Sequence, residues 1–393
     1  MSRKTGVLIV GLNGSVGNTV VSGAKSATYH EFPLYGMLTE AHPMAGIKFT
    51  DWREFIFGGW DLNSLSAYDI AASNGIIPNH MLKGLEKPLS LVKPFQGIVC
   101  EPDYYFGKDT QWIKINNSLE ELISQTENDI HQFKEHFNLD SCCVVNLSSP
   151  PKVTIQNPSN VNKEKLFEMI KSNSPLISSS LLYAIAAINT GCGYIDFTSS
   201  QTLDIKGILD ISNEKKVPLA GRDGATGETI LKIALAEFLL KRNLHLSGWF
   251  STNLLGNNDG LVLQDYRHAE LKVEDKTNVL SDVLGYSDFE NIVNINYYRP
   301  RGDQKEAWNS IDFQGWLGLE MSLKLDWLGR DSILAAPLVL DLARHIEYAK
   351  SAGDYGILDH LQFYFKHPVG GHTTSFSESY GILLNYYNKK NSM

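Results

Sequence analysis

Apolar residues follow two different rhythms along this chain, and the change from one to the other divides it. The first rhythm opens with Gly6-Val7-Leu8-Ile9-Val10, a compact β-branched run of the kind a buried strand requires. It leads into Gly11-Leu12-Asn13-Gly14-Ser15-Val16-Gly17, after which Asn18 to Ala27 can continue as a helix. Leu119 to Asn138 carries apolar residues at 119, 122, 123, 130, 133 and 137 with charges between them, which predicts an amphipathic helix covering a sheet. Ser141 to Leu147 reads as a buried strand, Ser179 to Asn189 as a helix closed by Gly191, and Tyr194 to Phe197 and Val217 to Ala220 as short strands. Strands alternating with helices predict an α/β fold with a Rossmann-like, doubly wound parallel sheet through about residue 229.

The second rhythm begins after a helical run, Ile230 to Leu240, and an alternating aromatic strand, His245 to Phe250. Ile292 to Tyr298, Ser310 to Leu317 and Leu319 to Trp327 are strand-like with no helical crossover between them. The last alternates strictly through Leu319, Met321, Leu323, Leu325 and Trp327, which predicts an open, largely antiparallel sheet with one apolar face in need of a cover. From Asp331 the pattern is helical again through Lys350, with Pro337 expected to kink it, and a last helix is expected near Tyr355 to Lys366.

At 393 residues, 43% hydrophobic and 20% charged, the chain has room for two domains with separate cores. A formal charge of −9 without any Lys/Arg run argues against nucleic acid or an anionic membrane as partner. Any anion must therefore be caught locally. Cys100, Cys142, Cys143 and Cys192 form no metal-type pair and are expected as buried thiols. The apolar run after Met1 is too short for a secretory signal, and none approaches the roughly twenty residues of a membrane helix. A soluble, cytoplasmic protein is expected.

Three stretches carry candidate chemistry. Gly11 to Gly17 is G-x-x-G-x-x-G between strand and helix, close to the dinucleotide fingerprint but with its second glycine displaced. Glu31, about twenty residues on, has the spacing of a ribose-binding acid, and Ser148 stands where a strand end would meet a cofactor. Gly221 to Thr229 runs into a helix with Thr226 as N-cap, and a helix start seats phosphate. Ser251 to Gly260 holds three asparagines, one aspartate and two glycines where a strand opens into a loop, a surface suited to a polyol or sugar phosphate. Lys272 and Lys276 follow, four apart and so on one helix face. Arg301-Gly302-Asp303 reads as a loop tripeptide, and His367 and His372 lack the glutamate and helix of a zinc site.

The order of these motifs resembles one family over nearly the whole chain. Phe57-Gly58-Gly59-Trp60-Asp61-Leu62-Asn63, Leu255-Gly256-Asn257-Asn258-Asp259-Gly260, the lysines nineteen and twenty-three residues past Asn253, Pro300 to Lys305, and Arg330 to Leu338 are similar in sequence and spacing to the myo-inositol-1-phosphate synthases. The resemblance implies an NAD-binding Rossmann-like domain (1–229), a catalytic and oligomerisation domain (230–333), a helical tail (334–393) returning to the first, and a homotetramer. It implies that glucose 6-phosphate is oxidised at C5 by NAD, enolised at C6, closed onto the C1 aldehyde and reduced again to 1L-myo-inositol 1-phosphate.

By the same resemblance, Lys272, Lys305, Lys366, Asp223, Asp331 and Asn253 are catalytic. Lys272 and Lys305 bracket the C5 oxygen, Asp223 is coupled to Lys272 as a proton relay, and Lys366 acts at C1. Thr226, Gly227, Leu255, Asn257 and Lys276 hold the phosphate. Gly11, Asn13, Gly14, Ser15, Val16, Gly17, Asp61, Ser148 and Asp303 bind NAD, with Asp61 and not Glu31 on the ribose. A monovalent or divalent cation at the phosphate is compatible with such a family, although no cluster here has metal spacing. Two departures stand out: Thr226 replaces a serine, and Ser148 to Pro151 replaces a longer W-T-x-N-T-E-R run. A sugar-phosphate dehydrogenase releasing NADH, or a non-enzymatic sensor, remain the alternatives.

Overall fold

Strand β1 (Thr5–Val10) is buried at every position, as expected for a central parallel strand with helices on both sides. The computed structural model describes residues 4–103, 113–114, 118–256 and 280–391, and the chain divides into two units. The first comprises residues 1–224 and 335–371, the second 225–334 and 372–393.

In the first unit β1 is followed by β2 (Ile56–Asp61), β3 (Phe95–Ile98), β4 (Ile113–Lys114), β5 (Ser141–Asn146), β6 (Gly193–Asp196) and β7 (Pro218–Gly221). The strand order is β12-β7-β6-β5-β1-β2-β3-β4, β12 being Gly356–Ile357, and every pair is parallel. The order reverses between β1 and β5, and ligands of doubly wound sheets lie at the carboxyl ends of the strands at such a reversal. Gly59 lets β2 approach β1: its φ is +144°, and a Cβ there would stand 1.9 Å from the Ile9 carbonyl oxygen. Helix Leu119–Phe137 begins in a capping box between Ser118 and Glu121. Helix Ser179–Asn189 is buried from Ser179 to Ile188, so it packs between sheet and neighbouring helices with no solvent face. All four cysteines are buried free thiols.

The second unit holds β8 (His245–Leu255), β9 (Glu290–Tyr297), β10 (Gln304–Gln314) and β11 (Glu320–Arg330), ordered β11-β10-β8-β9. The β10–β11 and β10–β8 pairs are antiparallel, and β8–β9 is parallel. Leu246, Trp249 and Ile311 pack on Ala236 and Leu239 of helix Glu228–Lys241. That cover does not reach the edge strand: Met321 and Leu323 are 44% and 41% exposed, although Leu323 stands opposite buried Ile311.

Several expectations need correction. The strand expected to end at Phe250 continues to Leu255, because alternation persists with Ser251, Asn253 and Leu255 inward. The strand expected from Ser310 begins at Gln304, which puts Lys305 in the sheet. Thr226 is not an N-cap; Gly227 is, at φ 66°, with no side-chain cap. No α-helix forms over 355–366. Gly356 at φ +74° joins β7 instead, and a 3-10 turn spans Asp359–Tyr364. The tail also divides. Residues 335–371 stay with the first unit, but Phe376–Asn391 is a helix of the second, tied there by Ser375 and Ser377 donating to Glu237.

Helix Asp331–Ala352 enters the first unit with Pro337 inside it. There Asp341 accepts from the Leu38 N–H at 2.7 Å and from Thr39, and Arg344 Nε donates to the Thr50 carbonyl at 3.0 Å. His345 is fully buried with Nε2 2.9 Å from the Tyr364 hydroxyl. Burial, with help from the His360 and Arg344 charges, holds its imidazole well below the usual histidine range. The unfolded chain therefore takes up a proton near pH 6.5 that the folded chain refuses, so stability falls as pH falls below 6.5. The contribution is about 1.4 kcal/mol per pH unit. We expect the difference in unfolding free energy between the wild type and His345→Gln, from urea titrations at pH 7 and 5.5, to shrink at the lower pH. An unchanged difference would show that His345 titrates normally in the fold.

Candidate active site

The Gly11–Gly17 turn joins β1 to helix Ser15–His30, whose N-cap Gly14 offers no side chain to the first-turn amides. Those N–H groups and the positive helix end suit a phosphate anion. Gly11 has φ +86°, and a Cβ on Gly17 would stand 2.3 Å from the Gly11 carbonyl oxygen, so both positions require glycine. Gly11 and Leu12 N–H donate to the Trp60 carbonyl at 2.9 and 3.1 Å. Asp61 accepts from the N–H of Asn13 and of Leu62, each at 2.8 Å, and from that of Asn63 at 3.2 Å. Burial pushes its carboxyl up from the usual range, and these hydrogen bonds oppose the rise. Asn13 Oδ1 is buried with no hydrogen-bond partner among the described residues. A turn with uncapped amides, a half-buried carboxylate and an unsatisfied buried carbonyl fits a dinucleotide. Glu31 is exposed and closes the helix at φ 54°.

Ser148 lies just past β5, beside the same turn: a Cβ on Gly11 would stand 3.3 Å from the Leu147 oxygen and 3.5 Å from the Ser148 nitrogen. Its hydroxyl donates to Asn146 Oδ1 at 2.7 Å, leaving its lone pairs able to accept. Past β7, Lys366 Nζ lies 3.0 Å from Asp223 Oδ1. The backbone repeats the pairing, with Lys366 N–H on the Asp223 carbonyl at 2.7 Å. Lys272, the partner expected for Asp223, lies outside the described residues, and the pairing with Lys366 has a local reason. Residue 223 adopts φ +61° and residues 224 and 365 form a β-bridge, which brings the two side chains together. The glycine turn, Asp61, Ser148, Asp223 and Lys366 all belong to the first unit.

The second unit carries a polar patch on the inner face of its sheet. Asn253 is fully buried, its amide donating to Ser251 Oγ at 3.1 Å while Oδ1 has no partner among the described residues. Lys305 stands opposite Leu255 in the register, so it shares the face of Ser251, Asn253 and Leu255. Sequence reasoning missed Lys232. It is 4% exposed, 3.3 Å from Ser251 Oγ and 3.6 Å from Glu228 Oε1, and burial lowers its pKa, with the Lys305 charge adding to the effect and Glu228 opposing it. Its signal was a lone lysine four residues after a glutamate in an apolar helix, a pattern ordinarily assigned to a solvated face.

Asp303 accepts from Ser332 Oγ at 2.7 Å, and burial raises its carboxyl. It belongs to the second unit. A Cβ on Gly227 would lie 3.3 Å from Asp331 Oδ1, and Thr226 is half-buried beside it. Asn257, Lys272 and Lys276 lie outside the described residues. Among the described residues no group of three or more His, Cys, Asp or Glu is placed to hold a metal ion, and no helix is long and apolar enough to cross a membrane.

Comparison with known proteins identifies the family. Residues 38–380 match an NAD-binding family model described as myo-inositol-1-phosphate synthase. The chain is 32% identical to inositol-3-phosphate synthase 1 of Bacteroides thetaiotaomicron, covering 93% of this chain and 90% of that protein. It is 24% identical to the inositol-3-phosphate synthase of Saccharomyces cerevisiae, over 93% of this chain and 80% of that one. In fold it is similar to the solved inositol-3-phosphate synthase of Caenorhabditis elegans, with TM-score 0.87, 23% identity and coverage of 98% of this chain and 85% of that one. A family match spanning most of the chain, with a relative above 30% identity along almost its whole length, decides the matter: the chain belongs to the myo-inositol-1-phosphate synthase family.

Proposed function

We propose that this protein converts D-glucose 6-phosphate to 1L-myo-inositol 1-phosphate, using NAD without net redox change. The observation that carries the reading is the first unit's combination of a glycine cradle with a lysine held 3.0 Å from a carboxylate past the end of β7. A dinucleotide turn alone would suit any dehydrogenase. A lysine fixed by a carboxylate suits a carbonyl that must accept a carbon nucleophile, since the ammonium can stabilise the oxyanion formed there.

Bound NAD would supply a hydride acceptor for C5 and, once reduced, the donor that restores it. Gly11, Asn13, Gly14, Ser15, Val16 and Gly17 would hold its pyrophosphate and Asp61 its ribose, and Ser148 and Asp303 would complete the contacts. Lys305, with Lys272, stabilises the C5 oxygen through oxidation, enolisation and reduction. Asn253 presents its unsatisfied carbonyl to a hydroxyl. Lys366, steadied by Asp223, polarises the C1 aldehyde and supplies a proton to the oxygen left when C6 bonds to C1. Asp331 orients the neighbouring groups, and Thr226, Gly227, Leu255, Asn257 and Lys276 take the phosphate. On this reading residues 1–229 form the nucleotide domain and 230–333 the catalytic and oligomerisation domain.

The roles of the two described lysines separate in single turnover. Lys366→Ala should still oxidise C5 but fail to close the ring, so the absorbance of reduced nicotinamide should rise and persist. Lys305→Ala should give no such signal. The wild type should make cyclic product by NMR with no accumulated NADH. Steady NADH release with a linear keto sugar would favour a dehydrogenase, and loss of oxidation in Lys366→Ala would remove that lysine from C1.

We also propose a homotetramer joined through the second unit's sheet. Its support is the uncovered apolar surface of Met321 and Leu323, 44% and 41% exposed on one face of the edge strand, since large exposed apolar patches mark interfaces. Light scattering should give about four times the 43.9 kDa chain, and Leu323→Glu should lower that mass. A wild-type monomer at micromolar concentration would contradict the assembly.

A further inference from the structure

Asp196 ends β6 with no solvent exposure and belongs to none of the groups discussed above. Its Oδ1 accepts from Thr198 N–H at 3.1 Å, Thr198 Oγ1 at 2.7 Å and Asn146 Nδ2 at 3.3 Å, while Oδ2 accepts from Ser200 Oγ. Four donors converge on it, which only an acceptor-only carboxylate can satisfy in full; an amide would present its own N–H₂ to one of them. Burial pushes its carboxyl up to about 6, against the hydrogen bonds from Ser200 and Thr198 and the nearby Arg222 charge.

Each partner leads to one half of the first unit's site. On one side Asp196 fixes which way the Asn146 amide points. With Nδ2 on the carboxylate, Asn146 Oδ1 faces Ser148, accepting from its N–H at 3.2 Å and its hydroxyl at 2.7 Å. On the other side the Thr198 carbonyl accepts from the Asp223 N–H at 2.8 Å, and the Phe197 carbonyl from the Gly224 N–H at 3.0 Å. These bonds brace Asp223 at φ +61°, a conformation a non-glycine residue holds only when its surroundings impose it. Lys366 is in turn bonded to Asp223.

We propose that Asp196 is a positioning residue for the reaction: its buried carboxylate sets, through Asn146, the Ser148 contact to the cofactor and, through Thr198, the Asp223–Lys366 pair. The proposal rests on the functional reading above.

The test uses the full chain, with NAD affinity from calorimetry and the rate of C5 oxidation and ring closure in single turnover at saturating NAD. Asp196→Asn should bind NAD about tenfold more weakly and close the ring about tenfold more slowly, the scale of one charge-assisted hydrogen bond. The exchange Asn146→Asp with Asp196→Asn restores a carboxylate–amide pair facing Ser148. It should return NAD affinity to within about threefold of wild type while ring closure stays slow, because Thr198 still lacks its carboxylate. A general loss of stability would not be repaired on one arm only. Asp196→Asn with both quantities within about twofold of wild type, or an exchange that restores neither, overturns the proposal. If Asp196→Asn does not fold, Asn146→Ser serves instead: weaker NAD with unchanged ring closure is expected, and unchanged affinity overturns the cofactor arm. Wild type that binds NAD but makes no cyclic product would refute the functional reading, while the NAD comparison would still judge Asn146 and Asp196.

Discussion

A parallel sheet buried on both faces leaves the carboxyl ends of its strands as the place where polar groups can gather, and every polar group there must find a partner. In this protein the partners are carboxylates. Asp61 at the end of β2 gathers three backbone N–H groups of the turn after β1 and of its own loop, and Asp196 at the end of β6 gathers four donors from β5 and its own turn. A buried carboxylate left unpaired is strongly disfavoured, so each holds its donors in one arrangement. Glycine makes the close approach possible: Gly59 and Gly17 sit where a Cβ would overlap the Ile9 and Gly11 carbonyls. The nucleotide cradle and the Asp223–Lys366 pair both follow from that arrangement.

The second unit meets the same constraint differently. Its sheet turns Ser251, Asn253 and Lys305 inward, where a core would ordinarily be apolar, and the covering helix adds Lys232 with Glu228 as its countercharge. Such a layer is less favourable than packed hydrocarbon, and it is retained where chemistry needs amides and ammonium groups out of water. The apolar residues continue instead onto the edge strand, where Met321 and Leu323 are left in solvent.

Much of this was legible because the relevant signals are local. The all-apolar run of β1, the glycine turn after it and the helix Ser179–Asn189 follow from period and punctuation alone. Asp61 and Lys366 needed the family's motif order, because no local rule connects residue 61 to residue 13 or residue 366 to residue 223. What could not be read had a tertiary cause. Ser251 to Leu255 looked like a loop since its polar residues face a buried lysine, Lys232, that the sequence does not announce. Residues 356–366 carry enough apolar residues for a helix, but β7 offers an edge and Gly356 takes it. Asp196 gave no signal, being one carboxylate in a short strand.

In the proposed reaction hydride leaves and returns to the same carbon without leaving the protein. Glucose 6-phosphate deuterated at C5 tests it in one measurement, with product isolated and analysed by NMR and mass spectrometry. Cyclic inositol phosphate should keep its deuterium, with none in free NADH. Deuterium appearing in released cofactor, beside an uncyclised keto sugar, would contradict it.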